Sequence, residues 1–421
     1  MPITSTRVPD PRVRRLAATL YAYAFLTDCV LLYPVYALLF SDTGLSIGQI
    51  SALFVLWSAT GIVLEVPSGA WADAVSRRLL VCLGPVLAGA GFALWVLTPS
   101  WWAFAVGFVL WGAGGALTSG ALEALVFTEL DRLGAAGRYA RTMGRAKTAG
   151  VLGALASIAL AGPVLALGGY PAVGAASVLA GLLAAAVATR LPEHRPAAAA
   201  SPVAPDDGDE LGWLASLRAG LAEARADRRV RAALLLVPAV SAVWGALDEY
   251  TPLLARDTGV AGSTVPLLLL LLWVGVTAGG LLAPAGERLT TRGYAALVAV
   301  AAGALAAGAL VRHPAGFALI GVAFCAFQLA TVLADARLQA RIAGPGRATV
   351  TSVAGMATDV AVIAVYGGYA LLAAAGGNAF AFAVAAVPYL VVVLWLLRPA
   401  DGRRSRRALP EPVTGRGGGS A

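Results

Sequence analysis

The stretch GAWADAVSRR, from Gly69 to Arg78, places one acidic and two basic residues between two long apolar runs. The run before it begins near Ile47, and the run after it begins near Leu79. Each run is about 20 residues long, which is the length that a helix needs to cross a bilayer. The stretch therefore predicts a short polar turn between two membrane-spanning helices.

The whole chain has the composition of a membrane protein. Of its 421 residues, 59% are hydrophobic and only 13% are charged, whereas soluble domains carry about 25% charged residues. We expect no signal peptide, because the first apolar run is too long for one. The three cysteines each lie in an apolar run, which indicates small buried side chains rather than disulfide or metal ligands.

Twelve apolar runs predict an all-α membrane protein with twelve transmembrane helices. They start near Leu16, Ile47, Leu79, Trp101, Thr142, Pro171, Arg231, Thr264, Gly293, Ala315, Ala348 and Gly377. The longest polar interruption, 191–229, predicts a cytoplasmic linker whose second half is an amphipathic surface helix. We expect six-helix bundles at 1–190 and 230–398, followed by a disordered cytoplasmic tail at 399–421.

The basic residues fall almost entirely on one side of the predicted membrane. With twelve crossings, successive loops alternate sides, and 29 of the 31 Lys and Arg fall on the side of both termini. Only Arg256 and Arg312 fall on the opposite side. This asymmetry predicts a cell-membrane protein with both termini in the cytoplasm. The net charge of +8 then reflects topology, and basic residues spread over loops do not indicate nucleic-acid binding.

An internal repeat relates the two halves of the chain. The motif SDTG follows the first run, and RDTG follows the seventh run 215 residues later. Asp73 and Arg78 are matched by Glu287 and Arg292 at an offset of 214 residues. A parallel repeat of this kind predicts two pseudo-symmetric bundles of six helices.

The opening stretch and the repeat together resemble the major facilitator superfamily. That family's loop between helices two and three carries Gly, three residues, Asp, three residues and a basic pair. Gly69, Asp73, Arg77 and Arg78 fill these places, and Ser76 stands where the family usually has Gly. The longer stretches LEVPSGAWADAVSRR and RATVTSVAGM resemble a branch that is rich in drug exporters. The resemblance implies a transporter that works by alternating access between its two halves.

In the family, the acid of this loop contacts the start of helix eleven in the opposite half. The resemblance implies that Asp73 closes the cytoplasmic side in one conformation, with Glu287 and Arg292 as the weaker second copy of the motif. The neighbouring arginines would then pair with Glu129 or Asp131 at the end of helix four. The alternative is that these charges only anchor the loop at the lipid interface.

Acidic residues inside the predicted spans are candidates for substrate binding or proton coupling, because an ionisable group is costly at bilayer depth. The candidates are Asp28, Glu123, Asp248, Glu249 and Asp359. Polar and aromatic residues on these and neighbouring helices are candidate cavity-lining residues, although such stripes more often serve packing. They are Tyr36, Trp111, Trp244, Gln328 and Tyr366. We find no Lys or Arg deep in any predicted span, so the cavity should favour cations or carry protons.

These features predict proton-coupled efflux of a hydrophobic or cationic small molecule by a monomer in the lipid bilayer. Burial in an apolar cavity raises the pKa of a carboxyl group, which suits it to exchange protons near neutral pH. The first alternative is an importer or facilitator of a small polar metabolite, and the second is a receptor or scaffold that does not transport. The only lysine, Lys147, has no phosphate-binding loop before it, so we expect neither ATP-driven pumping nor an enzyme. We also expect no cofactor, and no metal because both histidines lie in predicted loops.

Overall fold

The computed structural model describes residues 10–194, 228–342 and 347–398, and all the regular elements in these ranges are helices. The N-terminal half contains α1 (Pro11–Asp28), α2 (Tyr36–Asp42), α3 (Ile47–Ala74), α4 (Arg77–Leu97), α5 (Trp101–Arg132) and α6 (Tyr139–Ala188). The C-terminal half contains α7 (Arg228–Asp248), α8 (Thr251–Arg256), α9 (Val265–Leu281), α10 (Ala283–Gly286), α11 (Thr291–Leu310), α12 (Gly316–Arg341), α13 (Arg347–Val384) and α14 (Val387–Leu397). The predicted linker helix and the predicted tail lie outside the described residues.

Two of these helices contain two membrane crossings each. α6 turns back at Gly169, where φ is 62°, and the second half repeats this turn at Gly377, where φ is 79°. Positive φ is accessible to glycine because it has no Cβ atom. By length and composition, 8 continuous helical stretches can cross a membrane. Dividing two of them at these glycines, and adding the shorter α9 and the pair α1–α2, gives twelve crossings in the described residues.

The predicted fold of two six-helix bundles is confirmed. Each predicted apolar run begins within about five residues of the start of a crossing. Within each bundle, helices pack closely at glycines. A Cβ atom on Gly114 of α5 would collide with the carbonyl of Gly84 on α4, and the second bundle has the same kind of contact between Gly275 and Gly321. Small residues let helix backbones approach in this way in membrane proteins.

The two faces of the molecule are distinguished by the loops that they carry. The terminal side carries both described chain ends and the turn between α3 and α4, and the distal side carries the turns at Gly169 and Gly377. A correction concerns residues 191–194 on the terminal side, where we expected the flexible linker to begin. Leu191 is fully buried, and Glu193 accepts hydrogen bonds from the Ser76 hydroxyl and the Arg77 backbone N–H at the start of α4.

Candidate functional site

A cavity of about 470 Å³ lies between the two halves. The N-terminal half contributes residues of α3, α5, α6 and the segment that joins α1 to α2, and the C-terminal half contributes α9 and the segment that joins α7 to α8. Three carboxyl groups line it, namely Asp28, Asp248 and Glu249. The cavity therefore gathers three of the five predicted acids at the interface of the repeats, where broken helices form the substrate and ion sites of other transporters.

Broken helices carry these acids into the cavity. The first crossing of each half is interrupted, because α1 ends at Asp28 and α7 ends at Asp248. A proline lies beside the resumption of each helix, Pro34 just before α2 and Pro252 at the start of α8. A proline ring clashes with the carbonyl four residues earlier and cannot supply an N–H group. For Pro252 that carbonyl belongs to Asp248, which is where α7 stops. We had expected each of these crossings to be one continuous helix.

The break in the first crossing leaves backbone groups that need partners inside the bundle. The Leu32 N–H donates a hydrogen bond of 3.0 Å to the hydroxyl oxygen of Ser177 on α6. Ser177 is fully buried, and its own hydroxyl donates to the Val173 carbonyl. This contact fixes the segment that runs from Asp28 to Tyr36, and with it one wall of the cavity.

One face of α6 forms a second wall. Gly150 lies so close to the Asp28 carboxylate that a Cβ atom at this position would collide with it. Lys147, one turn before Gly150, also lines the cavity. Lys147 is exposed, and no basic residue had been predicted at the cavity. Its place there was not predicted, because Lys147 lies near the start of a long helix, close in sequence to Arg141 and Arg145.

Aromatic rings form a third wall. Trp111 on α5 stacks on Tyr33 with ring centroids 5.1 Å apart, and on Trp57 of α3 with centroids 4.7 Å apart. All three rings are partly exposed and line the cavity, and Trp273 of α9 lines it from the C-terminal half. Of these four residues only Trp111 was among the predicted lining residues. Pro34, next to Tyr33, was the available signal that the chain breaks at this point.

The other predicted residues lie in several places. Tyr36 lines the cavity. Asp359 lines a separate cavity of about 350 Å³ that shares Trp57 and Trp111 with the first. Glu123 is exposed on α5 and is not among the residues that line either cavity.

Three predicted lining residues pack elsewhere in the interior. The indole N–H of Trp244 donates to Thr331 across the C-terminal bundle. Tyr366 is almost completely buried against Phe54 of the opposite half, with ring centroids 5.4 Å apart. Gln328 lies on α12 close to Gly279 of α9. Like Glu123, these residues are not among those that line the 470 Å³ cavity.

The predicted gating motif is only partly described. Gly69 and Asp73 belong to α3, but their side chains lie outside the described part of the structure. The guanidinium of Arg77 donates to the Thr128 hydroxyl. The remaining members, Arg78, Glu287 and Arg292, are exposed.

Glu129, an expected partner of the motif arginines, has other contacts. Its carboxylate is almost completely buried and accepts hydrogen bonds from Arg132 and from the backbone and ring of His194.

An ion pair joins the two halves on the distal side. The Arg256 guanidinium of the C-terminal half donates two hydrogen bonds to the Asp42 carboxylate of the N-terminal half, at 2.5 and 3.0 Å. The Tyr170 hydroxyl, after the turn at Gly169, donates to the same carboxylate at 2.6 Å. Bidentate arginine–carboxylate pairs fix orientation as well as contributing energy.

The internal repeat places a similar aspartate contact in the C-terminal half. Asp257 occupies in the second half the place that Asp42 occupies in the first. It accepts a hydrogen bond of 2.9 Å from Asn378, which follows the turn at Gly377 as Tyr170 follows Gly169. The Asp257–Asn378 contact stays within one half, whereas the Asp42–Arg256 pair crosses between halves. The two contacts can therefore be compared by mutation, because only the Asp42–Arg256 pair joins the halves.

Further contacts between the halves lie next to the ion pair. The hydroxyls of Ser51 and Tyr250 form a buried hydrogen bond of 2.7 Å across the interface. Phe54 packs on Tyr250 with ring centroids 5.3 Å apart. Gly162 lies against the backbone carbonyl of Ser263, in a space too narrow for a Cβ atom. These contacts lie between the cavity and the distal side.

Within the described ranges, no three His, Cys, Asp or Glu side chains are grouped closely enough to hold a metal ion.

The sequence profile of the Major Facilitator Superfamily matches residues 18–364. No curated protein matches the chain by sequence.

Similar folds are found among solved transporter structures. One is the nucleoside transporter NupG, as a D323A mutant, with a TM-score of 0.70 and 12% identity over 91% of this chain and all of that one. Another is a bacterial homologue of the human lysosomal transporter Spinster, inward-facing and unoccupied, with a TM-score of 0.68 and 16% identity over 92% of this chain and 95% of that one. A third is a D-xylose–proton symporter, with a TM-score of 0.64 and 16% identity over 92% of this chain and 97% of that one. At these identities the similarity concerns the fold.

Proposed function

The chain belongs to the major facilitator superfamily, and from this premise we propose that it is a proton-coupled secondary transporter of a small polar molecule. We place it in the cell membrane as a monomer, with both termini in the cytoplasm, because of the distribution of its basic residues. Substrate would reach the cavity between the halves from one side of the membrane at a time.

The observation that carries this proposal is the pair of interrupted helices. Both first crossings break, and the breaks bring Asp28, Asp248 and Glu249 to one cavity. Carboxyl groups in a transporter interior are suited to bind and release protons. A receptor or scaffold that does not transport would have no need for three such groups at the repeat interface.

The contacts between the halves support alternating access. The Asp42–Arg256 pair and the Ser51–Tyr250 hydrogen bond hold the distal ends of the bundles together. With the termini in the cytoplasm, the distal side faces outward. We infer that the structure corresponds to the conformation in which the cavity is closed to the outside.

We infer the direction of transport from the kind of cavity and from the cargoes of similar folds. Proton-coupled efflux of a hydrophobic or cationic compound was our first prediction from sequence. The named cargoes of two similar folds are nucleosides and D-xylose, the latter moved with a proton. Hydrogen-bonding groups next to aromatic rings suit such polar molecules, which carry hydroxyl groups on a ring. We therefore favour uptake of a polar metabolite, and efflux is the second candidate.

The test is counterflow in proteoliposomes, which detects exchange without a proton gradient. Vesicles are loaded separately with unlabelled uridine, adenosine, D-xylose and tryptamine, and entry of the same labelled compound is followed. We expect saturable entry of at least one compound. The matched control is Asp28→Asn, which should retain this exchange and lose the uptake that an imposed proton gradient drives. Entry no faster than in protein-free vesicles for every compound would refute transport of these classes.

A further inference from the structure

The cavity between the halves carries two adjacent carboxyl groups on the wall formed by the C-terminal half. Asp248 and Glu249 are adjacent in the second break, and both line the cavity. Within the part of the chain that the structure describes, neither carboxyl group makes a hydrogen bond or an ion pair. Both residues are half-buried, so their carboxyl groups are open to a group that enters the cavity. A bound positive group would pair with them.

Tyr36 gives an independent indication of a ligand. Tyr36 is one of the residues that line the same cavity, and it is almost completely buried, with a relative exposure of 3%. Among the described residues, it has the one buried side-chain polar atom, its hydroxyl oxygen, that lacks a hydrogen-bond partner. Buried polar atoms are nearly always hydrogen-bonded in folded proteins. A ligand that enters the cavity with a polar group would supply the missing partner.

Lys147 does not offset the Asp248–Glu249 pair. It lies on α6 one turn from Gly150, whose backbone packs on the Asp28 carboxylate. Lys147 is exposed and belongs to the wall formed by the N-terminal half. The lining thus holds three carboxyl groups and one lysine.

The aromatic wall restricts the shape of the ligand. Tyr33, Trp111 and Trp57 stack with nearly parallel rings, at interplanar angles of 19° and 21°. A flat ring can extend such a stack, and a cation over an aromatic face gains further energy. The cavity volume of about 470 Å³ accommodates a compact ring system.

We propose that the cavity binds a small organic amine in its ammonium form, joined by a short linker to a flat ring. The ammonium group would contact Asp248 and Glu249 and the ring would lie against the aromatic wall. A metal ion is disfavoured, because the described acids are not grouped closely enough to hold one. This inference rests on the proposed function, since it names the class of molecule that the transporter carries.

The experiment measures binding of three probes, two of them indoles, to the purified full-length protein by isothermal titration calorimetry. Tryptamine carries the ring and the ammonium group, tryptophol carries the ring and a neutral hydroxyl, and hexylamine carries the ammonium group alone. We expect tryptamine to bind about tenfold tighter than each of the others. Equal binding of tryptamine and tryptophol, or no tryptamine binding, would overturn the inference.

Variants locate the two contacts. Glu249→Gln should remove most of the advantage of tryptamine over tryptophol, because the neutral amide no longer attracts the ammonium group. Trp57→Leu should remove most of its advantage over hexylamine. If a variant fails to fold, the comparison of the three probes on the wild-type protein still tests the inference.

Counterflow separates this inference from the proposed function. Counterflow of uridine or D-xylose without tryptamine binding would overturn the inference and leave the transporter proposal intact. Tight tryptamine binding without counterflow of any compound would support the amine site and contradict transport.

Discussion

Breaking the distal ion pair should shift the equilibrium between the closed and open states of the distal side. The change is Arg256→Gln, which removes the two hydrogen bonds to Asp42 and leaves the Tyr170–Asp42 contact within the N-terminal half. Since the Arg256–Asp42 pair joins opposite halves, it can exist only while the distal ends are together. Its loss therefore weakens the closed state and leaves the open state unchanged.

The size of the shift follows from the exposure of the pair. The side chains of Arg256 and Asp42 are 30% and 44% exposed, so solvent screens part of their attraction. An exposed pair contributes up to about 1 kcal/mol, and bidentate geometry places this one at the upper end. About 1 kcal/mol corresponds to a fivefold change in the open-to-closed ratio.

The assay is a distance measurement between two spin labels by double electron–electron resonance. The labels are attached at Thr98→Cys and His313→Cys, which are exposed distal positions in opposite halves, after the three native cysteines are replaced. We expect the population with the longer distance to rise about fivefold relative to the shorter one in Arg256→Gln. The charge-swapped protein, Asp42→Arg with Arg256→Asp, should move back toward the wild-type ratio.

The repeat supplies a matched control in Asp257→Asn. This change alters the contact with Asn378, which lies within one half, so the ratio should stay as in the wild type. An unchanged ratio in Arg256→Gln, or an equal shift in Asp257→Asn, would refute the assignment of the ion pair as a distal closure.

Two further predictions concern the framework of the cavity. Ser177→Ala should lower the free energy of unfolding by about 1–3 kcal/mol, because the buried N–H of Leu32 loses its acceptor; thermal denaturation checks this, and an unchanged midpoint would contradict it. Gly153→Ala should destabilise the packing of α1 on α6, because a Cβ atom would meet the backbone carbonyl of Phe25. Its control is Gly144→Ala on the same helix, where the space is open; equal denaturation midpoints for the two variants would contradict the reasoning.

The fold could be predicted from the sequence because bilayer thickness imposes a length on each apolar run. The number of crossings, their starting points and the two-bundle division all follow from that constraint. The interruptions in the first crossing of each half could not be read in this way. Leu16 to Phe40 is one continuous apolar stretch, and only Pro34 signals that the helix stops inside it.

The candidate site could be predicted only in part. Asp28, Asp248 and Glu249 were identified because charge is rare at bilayer depth, and the structure places all three at one cavity. Glu123 met the same criterion but lies outside that cavity. Helical spacing shows which residues share a face, but not which neighbouring helix covers that face. For the same reason, the sequence did not show that Lys147 lines the cavity.

The distal ion pair could not be predicted from the internal repeat. The motifs SDTG and RDTG indicate that Asp42 and Asp257 occupy equivalent places. That Arg256 crosses to Asp42, while Asp257 bonds to Asn378 in its own half, depends on how the bundles meet. The sequence pattern does not show how the two bundles meet.

The central claim is that the three cavity carboxyl groups couple proton movement to transport. The most direct test is uptake of a counterflow substrate into proteoliposomes under an imposed inward proton gradient, with internal pH followed at the same time. We predict concentrative uptake with proton entry by the wild type. The variant Asp28→Asn, which keeps the Asp248 and Glu249 contacts proposed for the amine, should show counterflow alone. Gradient-driven accumulation by that variant at the wild-type rate would contradict the account.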